Sequence, residues 1–369
     1  MMIDRRLIQY FDWGLLSLLA SISAIGLVAL FSAVNAGDSP MEKVLFTKQL
    51  IWYGCGLVLM VISFLFSYKL YERHAYLIFI FCMALLVFVM LFGKYVGGSK
   101  RWLALGPISL QPSEFAKLAV IIILSKYFAK MSSINGLPLK DLVTPVILTF
   151  IPFTLIVRQP DLGTAMVVAL IAASITVFVK IERRTFISLL SGCTLAIPVV
   201  WYFLKGYQKQ RILTFLDPER DPLGAGYHII QSKIAIGSGM LTGKGFLQGT
   251  QNVLAFLPEQ HTDFIFSVLA EEWGMLGAMS LILLFIFMVA WGLNIAYGCR
   301  DPFGTILAMG ITAMIAWQVF INIGMVMGLM PVVGVTLPFV SYGGSSIITM
   351  MVGVGILLNI SMRRFLFES

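Results

Sequence analysis

Ten long apolar runs, most of them close to the roughly 20 residues that one helix needs to cross a bilayer, decide what this chain can fold into. They lie near 12–34, 46–66, 76–92, 114–129, 142–157, 162–180, 186–204, 264–297, 304–328 and 343–361. The runs are continuous, whereas strands of a transmembrane β-barrel alternate polar and apolar residues over about 10 positions. Charged residues make up only 12% of the 369, about half the share of a soluble globular protein, against 59% apolar. A soluble enzyme, a disordered chain and a coiled coil are thereby excluded, and the mean hydropathy of +0.92 agrees. The expected architecture is all-α and polytopic, about ten transmembrane helices in a single domain over 1–369, with one long outer loop at 205–262.

An even number of spans puts both termini on one side. Arg5 and Arg6 at the start, and Arg363 and Arg364 at the finish, nominate that side as cytoplasmic by the positive-inside rule. Of the 26 Lys and Arg, 13 then fall inside and 7 outside, apart from 6 in the long loop, where charge weighs less. The run after Arg6 is longer than a signal-peptide core, so it reads as an uncleaved first span. Cys55, Cys82, Cys193 and Cys299 have no CxxC spacing and read as small core residues.

The outer exceptions matter most. Lys100, Arg101, Lys117 and Arg158 all fall at the outer boundary, where basic residues do not serve topology. They read either as loop solvation or as an anion site. Glu114 and Lys117 open the fourth span behind Pro112 and Ser113, a helix start with an N-cap. At i and i+3 they either neutralise each other or hold Lys117 in a polar cavity. Asp161, in the turn Arg158-Gln159-Pro160-Asp161, is part of a polar hairpin or reaches Lys117 on the neighbouring span. Asp263 enters the eighth span two residues after His261, as an N-cap or as a partly desolvated general base. Glu271 and Glu272 follow in the same span without an evident partner. Ser341 and Ser345, among glycines and prolines just before the last span, equip an anion-binding helix start or a capping loop.

Two tempting motifs fail. In Gly237-Ser238-Gly239-Met240-Leu241-Thr242-Gly243-Lys244, a GxGxxG needs Gly at 242 and a P-loop needs Gly at 238. His74, His228 and His261 are too scattered for a zinc site.

Taken together, Lys100-Arg101-Trp102-Leu103, Gln111-Pro112-Ser113-Glu114-Phe115-Ala116-Lys117, Gln159-Pro160-Asp161-Leu162-Gly163-Thr164, Gly237 to Gly245, Pro258 to Phe266 and Pro338 to Ser346 resemble the SEDS family of shape, elongation, division and sporulation proteins. The resemblance covers nearly the whole chain, and the short tails favour its rod-shape branch. It implies a peptidoglycan glycosyltransferase that joins lipid II units into β-1,4 glycan strands at the outer face of the bacterial cytoplasmic membrane. It also implies a class B penicillin-binding protein as partner within an elongation complex, membrane lipid as surroundings, and no nucleic acid. Asp263 then corresponds to the essential acid, and Trp102, Glu114, Lys117 and Asp161 match other sensitive positions. Arg101, Lys117, Arg158 and Lys244 would face the lipid diphosphate, with His261, Ser341 and Ser345 near it. Leaving-group charge can be met by these cations, by the helix start at Ser341 to Ser346, or by a divalent metal such as Mg²⁺ or Mn²⁺; no other cofactor is implied. A lipid II flippase and a non-catalytic scaffold for the penicillin-binding protein are the rival readings. The absence of an internal repeat, and charges gathered at one face rather than the midplane, weigh against the first. The polar cluster weighs against the second.

Overall fold

A computed structural model describes residues 11–35, 40–96, 99–105, 108–131, 136–203, 206–218, 225–254, 256 and 260–363. Arg5, Arg6, Arg364, Pro258 and Glu259 lie outside the described residues. Each of the ten apolar runs coincides with a helix: α1 (Trp13–Asn35), α2 (Pro40–Leu65), α3 (Lys69–Phe92), α4 (Pro112–Ala129), α5 (Val143–Arg158), α6 (Leu162–Phe178) and α7 (Arg183–Phe203), then, after three further helices, Ile265–Gly298, Pro302–Val326 and Gly344–Arg363. Seven of the ten are long and apolar enough to cross a membrane. The protein is a multi-pass membrane protein, nearly all-α.

Two regions depart from the sequence reading. The stretch 205–262 carries three helices of its own: α8 (Gly206–Leu216), α9 (Ala225–Ser238) and α10 (Thr250–Val253). The sequence gives α9 too little hydropathy for a span, yet Ile229, Ser232 and Ala235 repeat at three-residue spacing and bury one narrow stripe. That stripe lies against the long helix that follows, α11 (Ile265–Gly298), to which α9 packs. Between α3 and α4 the chain forms a small antiparallel sheet of β1 (Lys94–Val96), β2 (Ser99–Leu105) and β3 (Ile108–Leu110), in the order β1-β2-β3. Lys94 pairs with Trp102, and Leu103 with Leu110.

The centre of the bundle is built by α4, α12 (Pro302–Val326) and α13 (Gly344–Arg363), whose residues are buried on nearly all sides. Around them α2 lies on α13, α3 on α4, α6 on α12, and α1 on α11. These peripheral helices turn Leu77, Ile80, Phe81, Phe88 and Phe150 outward. Large exposed apolar side chains in such numbers suit a hydrocarbon solvent and would be an aggregation hazard in water. Cys82 and Cys299 are buried as free thiols, whereas Cys55 is exposed on α2, not in the core; the Cys193 side chain is outside the described set.

At the end of the bundle opposite the sheet, polar groups fasten helix termini. Asp301 caps α12 through the Gly304 N–H and pairs with Lys69 at 2.6 Å. Asn359 accepts from the Tyr68 N–H and donates to the Phe64 carbonyl. Burial, with Asp301 and the Cys299 thiol beside it, pushes the Tyr68 phenol far above its ordinary range.

Candidate active site

The sheet end gathers the chain reversals that carry most of the predicted polar residues. The turn between α5 and α6, the start of α4, the turn before α11 and the long segment 327–343 before α13 all meet there.

Asp161 is the centre of the first group. Its Oδ1 caps α6 by accepting from the Thr164 N–H (3.2 Å), and its Oδ2 accepts from Gln111 Nε2 (2.8 Å) and Ser113 Oγ (3.2 Å). The cation beside it is Arg101, with Nη1 4.0 Å from Oδ1. The expected meeting of Asp161 with Lys117 does not occur. Lys117 lies one turn deeper on α4, where its Nζ binds Glu114 Oε2 at 2.8 Å with both side chains buried. The N-cap of α4 is Gln111 rather than Ser113, whose hydroxyl is directed to Asp161 instead. Arg101, on β2, has a buried Nε that makes no hydrogen bond with a described residue. Arg158, at the end of α5, is exposed and has no ion pair with a described residue. Trp102, half-buried, follows Arg101 on β2.

The second group surrounds Asp263. The turn 260–264 leads into α11, whose N-cap is Phe264, so Asp263 is not the cap of that helix. It is half-buried, and its position is set through the backbone on either side. Asn322, buried on α12, donates from Nδ2 both to the Asp263 carbonyl (3.0 Å) and to the Val335 carbonyl (2.8 Å). Ser341 Oγ donates to the Thr262 carbonyl (2.6 Å), and the Tyr342 N–H donates to the His261 carbonyl (2.9 Å). The His261 and Tyr342 rings meet edge to face at 5.9 Å. Burial raises the Tyr342 phenol above its usual range, so it stays neutral through physiological pH.

The segment 327–343 joins the two groups. Ser345, at the start of α13, accepts from the Gln111 N–H (2.8 Å) beside Asp161. Gly163, in the first turn of α6, lies so close to this segment that an added Cβ would stand 2.4 Å from the Val333 carbonyl oxygen. A Cβ on Gly334 would lie 3.4 Å from Asp263 Oδ2. The Gln49 amide on α2 holds the turn from the other side, donating to the Ser341 carbonyl and accepting from the Gly343 N–H. Ser341 and Ser345 thus serve as internal ties.

Lys244 stands apart from the cations around Asp161. Its Nζ binds Glu271 Oε1 at 2.7 Å and Thr250 Oγ1 at 2.7 Å. The reason is local: Glu271 is buried and needs a counter-charge, and the loop delivers Lys244 to it. Asn322 and Gln49 were not singled out in the sequence, and Gln111 stood only as the first residue of a motif. The advance signal common to all three is that uncharged amides at the ends of apolar runs must find partners in a membrane.

Among the described residues no three His, Cys, Asp or Glu side chains come together as a metal set. Asp161 is occupied by Arg101 and three hydrogen-bond donors, and Glu114 by Lys117. These two carboxylates, already paired, do not fit a protein-held Mg²⁺ or Mn²⁺ cage.

A multi-pass helical membrane bundle with Asp, Arg and amide groups collected at one end is the class of protein that the fold and site define. The chain belongs to the FtsW/RodA/SpoVE family of cell cycle proteins, whose model matches residues 12–365. It is 42% identical over 356 residues to the peptidoglycan glycosyltransferase MrdB of Escherichia coli K12, covering 96% of this chain and 94% of that one. To the peptidoglycan glycosyltransferase RodA of Treponema pallidum it is 33% identical, covering 96% and 98%. Among solved structures, a chain of a peptidoglycan synthase complex that coordinates polymerization and crosslinking superposes with a TM-score of 0.82 at 33% identity, covering 96% and 98%. The rod shape determining protein RodA of Thermus thermophilus gives 0.71 at 29% identity, covering the same shares.

Proposed function

We propose that this chain is a peptidoglycan glycosyltransferase that polymerises lipid II at the outer face of the bacterial cytoplasmic membrane, for cell-wall elongation and rod shape. The activity follows the relatives named above, and the placement of Asp263 carries the assignment of its chemistry. Asp263 is half-buried, is not a helix cap, and is held through its backbone by Asn322 and its neighbours at the bundle end that also holds Arg101 and Arg158.

In the reaction, the 4-hydroxyl oxygen of an acceptor GlcNAc forms a bond to the anomeric carbon of a donor MurNAc. The Asp263 carboxylate takes the hydroxyl proton. The bond from that carbon to the diphosphate oxygen breaks, and the electron pair leaves with undecaprenyl diphosphate. An α-linked donor gives a β-1,4 product by one inverting displacement, so no covalent enzyme intermediate is needed. Arg101, whose buried Nε has no hydrogen-bond partner among the described residues, and Arg158, exposed, supply donors for the leaving diphosphate. The buried Glu114–Lys117 pair and the Asp161 cluster hold the walls on which these groups stand.

In this reading the sheet end faces outward and both termini face the cytoplasm. The basic residues Arg73, Lys126, Lys130, Lys140, Arg183, Arg184 and Arg300, at the other ends of the helices, support that orientation. The likeness to a chain of a synthase complex supports a class B penicillin-binding protein as the crosslinking partner.

The test is the purified chain in vesicles with labelled lipid II, alone and with a class B penicillin-binding protein. The expected product is β-1,4 glycan polymer. Movement of lipid II across the bilayer without polymer would establish a flippase instead, and neither activity would leave a scaffold.

A further inference from the structure

A second polar cluster lies about two turns into α11, where the helix is broken. Gly274 there has φ 67° and ψ −164°, and on its two sides the ordinary bonds from Met275 to Glu271 and from Leu276 to Glu272 are replaced. The segment that follows α9 enters the break. The Lys244 N–H donates to the Glu271 carbonyl (3.0 Å) and the Gly245 N–H to the Glu272 carbonyl (3.0 Å), while the Met275 and Leu276 N–H groups donate to the carbonyls of Met240 (2.8 Å) and Leu241 (3.1 Å). Backbone groups freed inside a membrane must find such substitutes, and this segment supplies all four.

Side chains fasten the same segment. Glu271 Oε1 accepts from Lys244 Nζ (2.7 Å), Thr250 Oγ1 (3.1 Å) and the Gln251 N–H (3.1 Å). Glu272 Oε1 accepts from Ser32 Oγ on α1 (2.5 Å), and Asn252 Nδ2 donates to the Ser32 carbonyl (3.2 Å). Both carboxylates are buried. The fit leaves no room for side chains at two glycines of the failed nucleotide motif, Gly239 and Gly243. A Cβ on Gly243, whose φ is 79°, would lie 2.0 Å from the Glu272 carbonyl oxygen, and one on Gly239 would lie 2.1 Å from that of Ala270.

We infer that residues 239–253 form a strap whose seating, set by the Lys244–Glu271 ion pair and the Asn252–Ser32 hydrogen bond, fixes the orientation of the short arm of α11, residues 265–273, and through it the position of Asp263. The break removes the continuous backbone ladder that would otherwise align the arm with the rest of α11, so the strap supplies the alignment. Lys244, Glu271 and Asn252 are then positioning residues that touch no substrate. The catalytic consequence rests on Asp263 being the base of the proposed polymerase; the mechanical one does not.

Two measurements on the full chain in nanodiscs separate these. In Lys244→Ala, kcat for lipid II polymerisation is expected to fall by about tenfold or more while KM stays within about twofold, because a displaced base loses transition-state interactions alone. Hydrogen exchange in residues 260–268 is expected to quicken in the same protein. Since that variant leaves Glu271 buried without its cation, Lys244→Met with Glu271→Gln provides a second case that keeps no unpaired charge. It is expected to resist unfolding as wild type does, yet show the same kcat loss and faster exchange. Unchanged exchange at 260–268 in both variants overturns the strap, as does a loss expressed in KM alone. If the wild-type chain makes no polymer, the functional reading fails and exchange alone still decides the strap.

Discussion

Removing the Lys117 ammonium should destabilise the protein far more than removing the whole Glu114–Lys117 pair. The two groups are 2.8 Å apart, with side-chain exposures of 2% and 8%, on the helix at the centre of the bundle. Burying an ion is costly, and here the partner lies on the same face of α4, so the pair balances within one turn. Lys117→Met leaves the Glu114 carboxylate buried with no cation, which costs about 3–5 kcal/mol for pairs of this kind. Glu114→Gln with Lys117→Met removes both charges at similar volume, and the double variant should lie within about 1–2 kcal/mol of wild type. Glu114→Gln alone leaves the Lys117 ammonium buried without its anion and should likewise cost about 3–5 kcal/mol, so the coupling between the two sites is expected to be about 4–9 kcal/mol. Reversible unfolding in mixed micelles, run as a double-mutant cycle, reads it directly. A Lys117→Met cost below about 1 kcal/mol, or a double variant as unstable as the sum of the single ones, would refute the reasoning that burial makes this pair mutually dependent.

Asn322→Ala should lower the polymerisation rate with little change in KM, because it releases the Asp263 and Val335 carbonyls together. Leaving buried carbonyls unpaired also costs about 1–3 kcal/mol each, which the same unfolding assay would register. Gly163→Ala should destabilise by about 1–3 kcal/mol, since its Cβ would meet the Val333 carbonyl oxygen at 2.4 Å and the segment 331–335 must shift. A neutral outcome would mean that this segment is looser than its hydrogen bonds indicate. Arg101→Ala should raise KM for lipid II about tenfold or more while barely altering stability, as a cation 4.0 Å from its carboxylate and partly exposed contributes little to folding. Binding and turnover measurements on labelled lipid II would check it.

The spans were legible because a membrane helix declares itself in one dimension: about 20 apolar residues suffice, whatever their neighbours. What the sequence hid is what depends on three dimensions. The break at Gly274 lies inside one long apolar run whose only charges are Glu271 and Glu272, so the run reads as one straight helix. The glycines at 239 and 243 looked like part of a nucleotide motif that failed, whereas their smallness serves the close approach of a strap to α11. Glu271 and Glu272 had no visible partner, because Lys244 lies 27 positions away and Ser32 lies 240 positions away. The β1–β3 sheet and the stripe of α9 were too short or too polar to stand out against the spans.

Of the candidate site, residue identities were more legible than pairings. Asp161, Arg101, Lys117 and Glu114 were all marked as charges at the membrane boundary. Packing of consecutive spans suggested Asp161 with Lys117, but helix periodicity takes Lys117 a turn below the surface to Glu114. The place beside Asp161 falls to Arg101 from the sheet. The amides Asn322 and Gln49 carry no charge and follow no motif that one sequence reveals, and Gln111 stood only as the first residue of one; all three tie together the segments on which Asp161 and Asp263 stand.

The central claim is that Asp263 removes the acceptor proton. Asp263→Asn keeps the size of the side chain and the backbone to which Asn322 donates, and removes only the capacity to accept a proton in this way. Single-turnover polymerisation of lipid II by this variant should be slower than wild type by about 10²–10⁴-fold, with lipid II binding unchanged. A rate within about fivefold of wild type would contradict the account, since general-base catalysis is worth far more than that.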